Sequence, residues 1–190
     1  MLPVEADFTR PFALPDPHAK PARTIVYFPG STIGNFDAEP AVELLALARR
    51  LAGPGAALLI GIDLVKDREL LLRAYDDAAG VTAAFNLNIL ARLNRDLGAD
   101  FDPLGFRHAA PWNAAESRIE MHLVSLVPQS VNLAGERIEF EAGESIVTEH
   151  CHKYTEESFA ALARRAGWVP RDSWSDERGF FSVQYLEARD

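Results

Sequence analysis

Thr24-Ile25-Val26-Tyr27-Phe28-Pro29-Gly30-Ser31-Thr32-Ile33-Gly34-Asn35 is the stretch on which the reading of this chain turns. Its first five residues are an apolar, β-branched run that reads as a buried strand, 24–28. The strand breaks into a small loop with two glycines, and Asp37 and Pro40 then supply helix-start chemistry. Val42, Leu45, Ala48, Leu51 and Ala52 give a helical apolar face, Gly53-Pro54-Gly55 stops it, and 56–62 reads as a second buried strand. Strand, helix and strand at this spacing make a βαβ unit, with parallel strands and a right-handed crossover. Open α/β sheets bind ligands at the carboxyl ends of their strands, where this loop falls. Glycines let the backbone approach a ligand closely, and Asn35 offers a donor and an acceptor. A tight βα turn in which Asn35 leads toward a helix cap is the other reading that the loop alone leaves open.

Composition narrows the classes. The chain has 190 residues, a formal net charge of −9 and 48% hydrophobic residues, enough apolar material for one or at most two domains. The acidic balance argues against a nucleic-acid partner, which needs a basic face, and against an anionic membrane surface. No apolar run reaches the roughly 20 residues that span a bilayer. Residues 1–10 lack the basic head and apolar core of a signal peptide. The single cysteine, Cys151, excludes an internal disulfide framework, so a cytoplasmic location is expected.

Prolines at 11, 15, 17 and 21 make residues 9–23 an extended connector. From Asp67 to Leu97 the pattern is helical, broken at Gly80, with Phe85, Ile89, Leu93 and Leu97 as the expected core stripe. Period-2 stretches at 118–126, 130–133 and 137–140 predict antiparallel strands of a separate small sheet. Thr155 caps a helix over 156–166 that Gly167 ends, and strands follow at 173–174 and 180–186.

Several segments together resemble the histidine-specific, S-adenosylmethionine-dependent methyltransferases, which make the trimethyl betaine of histidine on the route to ergothioneine. They are Asp7-Phe8, Ser31-Thr32-Ile33-Gly34-Asn35-Phe36, Gly61-Ile62-Asp63-Leu64-Val65-Lys66-Asp67, the long run from Tyr75 to Asn86, Arg118-Ile119-Glu120-Met121, and Thr148-Glu149-His150-Cys151-His152-Lys153-Tyr154. The resemblance covers nearly the whole chain. It implies an α/β fold: a partial Rossmann-like methyltransferase domain, the second half of a doubly wound sheet, with an inserted helical and antiparallel-strand substrate-binding subdomain. The expected division is 1–66 for the cofactor-binding core, 67–154 for the insert, and 155–190 for the return to the core.

The same resemblance implies the site. Asp7, Phe8, Gly30 and Ser31 are expected on S-adenosylmethionine, with Asp7 accepting from the adenine amine and Phe8 stacking on the ring. Asn35 is expected to hold the substrate's α-amino group and α-carboxylate, Tyr75 to donate to the carboxylate, and Met121 to wall the imidazole. Glu149 and Cys151 are expected at the imidazole, with Glu149 accepting from a ring N–H. The family pattern has a serine where this chain has Cys151, and a thiol is the weaker hydrogen-bond partner. No side chain is assigned a covalent or acid–base role.

If 148–152 is a strand, Glu149 and Cys151 share one face while His150 and His152 share the other. Two histidines without an identifiable third ligand leave a metal site the weaker reading, and none is assigned. Asp63 and Lys66 read as a surface charge pair. A hydrolase reading built on Ser31 lacks the Gly-x-Ser-x-Gly elbow. The sequence supplies no strand and glycine-rich turn before Thr24, so the expectation is a carboxyl-terminal part whose isolated form is inactive. It would self-associate or take a missing amino-terminal half in trans. A methyltransferase for a different amino acid or amine, and a non-catalytic remnant that binds a partner, remain the alternatives.

Overall fold

A computed structural model describes residues 1–19 and 21–189, and its chain divides into two compact units. The first comprises Met1–Val65 and His152–Asp190, the second Lys66–Cys151.

In the first unit, β1 (Ile25–Phe28) and β2 (Ala57–Asp63) pair in parallel across the helix α1 (Ala38–Ala52). The sheet is completed by strands near the carboxyl terminus, β9 (Trp168–Ser175) and β10 (Phe181–Ala188), in the order β1-β2-β10-β9 among the described residues. β10 runs antiparallel to both its neighbours. Helix α4 (Glu156–Arg165) precedes β9 and opens on a capping box, in which Thr155 and Ser158 satisfy each other's backbone N–H. Alternation along the strands sends Val26, Leu58, Ile60, Ile62 and Leu186 into one core with Leu44, Leu45, Phe159 and Ala163 from the helices. Trp168 is fully buried there, with its indole N–H donating to the Leu45 carbonyl at 2.9 Å. The opposite face carries Ile25, Tyr27 and Trp174, each more than half exposed. β1, expected to be buried throughout, is therefore an edge strand among the described residues, buried on one face only. Beside it Phe8, Phe12 and Leu14 meet Val26, Phe28 and Leu51 along an apolar groove of about 300 Å³.

The second unit opens with α2 (Arg68–Tyr75) and α3 (Val81–Leu97), broken at Gly80 as the sequence suggests. Its sheet is organised around β5 (Arg118–Ser125), which pairs with β3 (Phe106–Ala109), β4 (Trp112–Asn113) and β8 (Ser145–His152). A hairpin, β6 (Gln129–Leu133) and β7 (Glu136–Phe140), turns through Ala134 and Gly135, both at positive φ. The stripe expected in the core of α3 is rotated. Phe85 and Leu97 are exposed, and the fully buried positions are Asn86 and Leu90. The reason is polar: a buried carboxamide needs partners, and Asn86 has them. Among the described residues no helix is long and apolar enough to cross a membrane.

On the polar face of β5, Glu120 accepts hydrogen bonds from Asn113 on β4 at 3.0 Å and from Arg118 at 2.8 Å. Its second oxygen lies 3.3 Å from His122. These bonds, that from Asn113 foremost, hold the Glu120 carboxyl at about 2, against an ordinary 4.5. A depressed folded-state value means the stabilisation is complete above about 4.5 and is lost as pH falls toward 2. Denaturant midpoints should therefore decline across that interval, and Glu120→Gln should start lower and show a flatter acid limb. A variant whose acid limb parallels the parent's would remove Glu120 as its source.

Candidate functional site

The loop after β1 is built from backbone. Gly30 (φ +74°) and Ser31 (φ +56°) take the left-handed conformation, and a 3-10 turn over Thr32–Asn35 follows. A Cβ on Gly30 would meet nothing within 4 Å, so the space beside it is open to a ligand. The Ser31 hydroxyl oxygen accepts from the Asp63 N–H at 2.9 Å, which ties the loop to the carboxyl end of β2. Ile33 is buried beneath the turn, and the Tyr154 hydroxyl donates to its carbonyl. Burial, and then the charge of Asp37, pushes that phenol up to about 12, so it stays a donor. Asn35 ends the turn with its side chain exposed.

Residues 152–154 return beside this loop. Tyr154 N–H donates to the Asp63 carbonyl, and Val65 N–H to that of Tyr154. Lys153, with its side chain only 2% exposed, lies 2.9 Å from the Asp63 carboxylate. The sequence reading missed this ion pair, since nothing local marks two residues ninety positions apart as neighbours. His152 Nε2 lies 3.0 Å from Asp37 Oδ1. Gly34 is required by packing, because a Cβ there would sit 2.8 Å from the His152 carbonyl oxygen.

Of the residues expected on the cofactor, Gly30 and Ser31 lie in this loop. Phe8 makes edge-to-face contacts with Phe28 and Phe36 at centroid distances of 6.0 and 6.4 Å, and its ring remains partly exposed. Asp7 accepts from the Thr9 N–H and hydroxyl and pairs with Arg10; these bonds, the Thr9 hydroxyl first, hold its carboxyl below the usual range. Phe8 offers a partly exposed ring and Asp7 an acceptor carboxylate, group types able to stack on and accept from a heteroaromatic ligand.

The remaining residues, Tyr75, Met121, Glu149 and Cys151, belong to the second unit. On β8 the Cys151 thiol donates to Glu149 Oε1 at 3.1 Å, so the two share a strand face. Cys151 is buried with Leu71, Ala110 and Ile119, and Tyr75 packs against that cluster. Met121 is buried on β5, where its carbonyl accepts from Thr148 on β8. Asn86 and His108 are buried polar residues that the sequence reading did not single out. The signal for one of them was a polar residue inside an otherwise helical apolar pattern.

An open α/β sheet with an antiparallel strand beside the carboxyl-terminal helix, and a glycine-bearing loop at its strand ends, matches a known methyltransferase architecture. The CcbJ methyltransferase from Streptomyces caelestis superposes with a TM-score of 0.50 at 13% identity, covering 97% of this chain and 62% of that one. The family described as "Histidine-specific methyltransferase, SAM-dependent" matches residues 1–188, and the chain belongs to it. Two relatives are named histidine N-alpha-methyltransferase. The one from Mycolicibacterium smegmatis is 47% identical over 169 residues, 88% of this chain and 52% of its own. The one from Mycobacterium tuberculosis is 44% identical over 163 residues, 85% of this chain and 51% of its own. The chain thus spans about half the length of these curated relatives.

Gly34→Ala tests the packing of the loop. The new methyl group must displace backbone rather than a flexible side-chain end, so a loss of about 1–3 kcal/mol is expected by denaturant titration. Unchanged stability would mean that the turn and His152 can separate freely.

Proposed function

We propose that this chain is part of an enzyme that transfers methyl groups from S-adenosylmethionine to the α-amine of histidine, forming the trimethyl betaine used in ergothioneine synthesis. The observation that carries this reading is the Glu149–Cys151 pair on β8, an acceptor carboxylate in a chain 47% identical to a histidine N-alpha-methyltransferase. A carboxylate that accepts from a ring N–H selects a side chain able to donate there, and fixes its tautomer.

The other roles follow residue by residue from the family resemblance. Asn35 accepts from the α-amino group and donates to the carboxylate; Tyr75 donates to the carboxylate; Met121 supplies an apolar, polarizable wall. Asp7, Phe8, Gly30 and Ser31 would hold the cofactor, which supplies a methyl group on a positive sulfonium. Held there, the cofactor would supply that methyl group for in-line displacement by the amine lone pair, with the neutral thioether as leaving group. The protein's part is alignment, and the reaction requires the amine in its unprotonated form. With the carboxylate anchored, the amine can rotate between rounds. The acidic composition fits a cytoplasmic enzyme of small molecules. The edge of β1, unpaired among the described residues, and the exposed apolar face beside it support a partner surface, either a second copy or a further α/β segment that continues the sheet.

Titration calorimetry of the chain with amino acids should show preference for histidine. Glu149→Ala should weaken histidine binding roughly tenfold or more, since a hydrogen bond to a charged group is worth about 1.5–3 kcal/mol. Equal affinity for histidine and another amino acid, or an unchanged Glu149→Ala variant, would overturn the assignment.

A further inference from the structure

Tyr75 is the last residue of α2, so its carbonyl is one of those that no helical N–H can reach. That carbonyl accepts from His108 Nε2 at 2.9 Å. The other ring nitrogen, Nδ1, lies 3.0 Å from the Asn86 amide nitrogen. The Asn86 amide nitrogen also donates to the His122 carbonyl at 3.1 Å, and Asn86 Oδ1 accepts from the Thr148 hydroxyl at 2.7 Å. Asn86 is fully buried and His108 is 9% exposed.

The chemistry of the groups fixes the ring and amide protons, while the single Thr148 hydroxyl hydrogen is shared between Asn86 Oδ1 and the Met121 carbonyl. A carbonyl can only accept, so His108 carries its hydrogen on Nε2 and presents a lone pair at Nδ1. Asn86 must then point its NH2 at Nδ1 and at the His122 carbonyl. With the amide reversed, its oxygen would face two acceptors at once. One tautomer and one amide orientation satisfy the whole network, and buried networks of this kind hold a single geometry.

We propose that Asn86 and His108 are positioning residues for Tyr75, setting where its ring stands against an amino-acid carboxylate. This rests on the reading that Tyr75 binds substrate. The turn after Tyr75 is fixed from its other end as well, because Asp77 accepts from the N–H groups of Val81 and Thr82 that open α3. The end of α2 and the start of α3 are thereby both held, and the network through β3, β5 and β8 gives Tyr75 little room to move.

The test measures histidine affinity of the chain by calorimetry for Tyr75→Phe, His108→Leu, His108→Gln and the Tyr75→Phe/His108→Leu double variant. Nitrogen-15 NMR reads the tautomer of His108 in the parent. Losing one neutral hydrogen bond to the Tyr75 carbonyl should weaken histidine binding on the order of fivefold in His108→Leu. His108→Gln, whose amide nitrogen can replace Nε2, should recover affinity to within about twofold. The double variant should bind no more weakly than Tyr75→Phe, since both changes remove one contact. Additive losses, or a folded His108→Leu with parental affinity, would overturn the proposal. So would an Nδ1–H tautomer, which remains decisive if His108→Leu fails to fold. Unchanged affinity in Tyr75→Phe would defeat the substrate reading on which the proposal rests, while leaving the tautomer as found.

Discussion

The chain departs from its first unit after Val65 and rejoins it at His152, and the clamp between those two points is the constraint on which the rest depends. Tyr154 bridges Leu64 in parallel, backbone hydrogen bonds run from Tyr154 to Asp63 and from Val65 to Tyr154, and Lys153 pairs with the Asp63 carboxylate. Because the two points lie side by side, a whole second unit can be inserted without disturbing the register of β2 with β10. The ion pair enforces this closure more than it adds net stability. Separating a buried pair by removing one partner costs about 3–5 kcal/mol, whereas the intact pair contributes much less against its own desolvation.

The same clamp positions the loop after β1. Ser31 is bound to the backbone of Asp63, Gly34 stands against the His152 carbonyl, and Tyr154 reaches the Ile33 carbonyl. Two segments far apart in sequence, the end of β2 and residues 152–154, thus fix a turn of four residues. Left-handed geometry at Ser31, unusual for a residue with a side chain, is held by that residue's own hydroxyl. On the proposed reading, this loop and turn present Gly30 and Asn35 to ligands without reorganising.

What could be read from the sequence follows from how local the physics is. The βαβ unit, the break at Gly80, the hairpin through Ala134-Gly135 and the capped helix after Thr155 each carry their signal within a few residues. The start of β9 does not: Pro170 and Arg171 look unlike a strand, yet β9 lies at a sheet edge, where proline is tolerated. β3 and β4 are too short to show periodicity. The buried face of α3 was misread because Phe85 looks like core and Asn86 does not. Only the partners of Asn86, from β3, β5 and β8, reverse that ranking. The residues assigned to the site by resemblance lie in short local motifs, whereas the ion pair of Asp63 and the network behind Tyr75 are tertiary facts with no local trace.

On the proposed reading, the substitution of a thiol for a hydroxyl at Cys151 shifts the burden of selecting imidazole onto one group. A hydroxyl can donate to Glu149 and still accept from a substrate N–H, so it can serve both. The Cys151 thiol donates to Glu149, and as an acceptor its sulfur is weak. Its burial among Leu71, Ala110 and Ile119 also gives it a packing role that a smaller, better-solvated serine would fill less well. The carboxylate of Glu149 is then the strong acceptor left for a ring N–H, with the thiol holding its orientation. A chain arranged this way keeps its preference for a side chain that donates, and relaxes its demand for one that also presents a second hydrogen-bonding nitrogen.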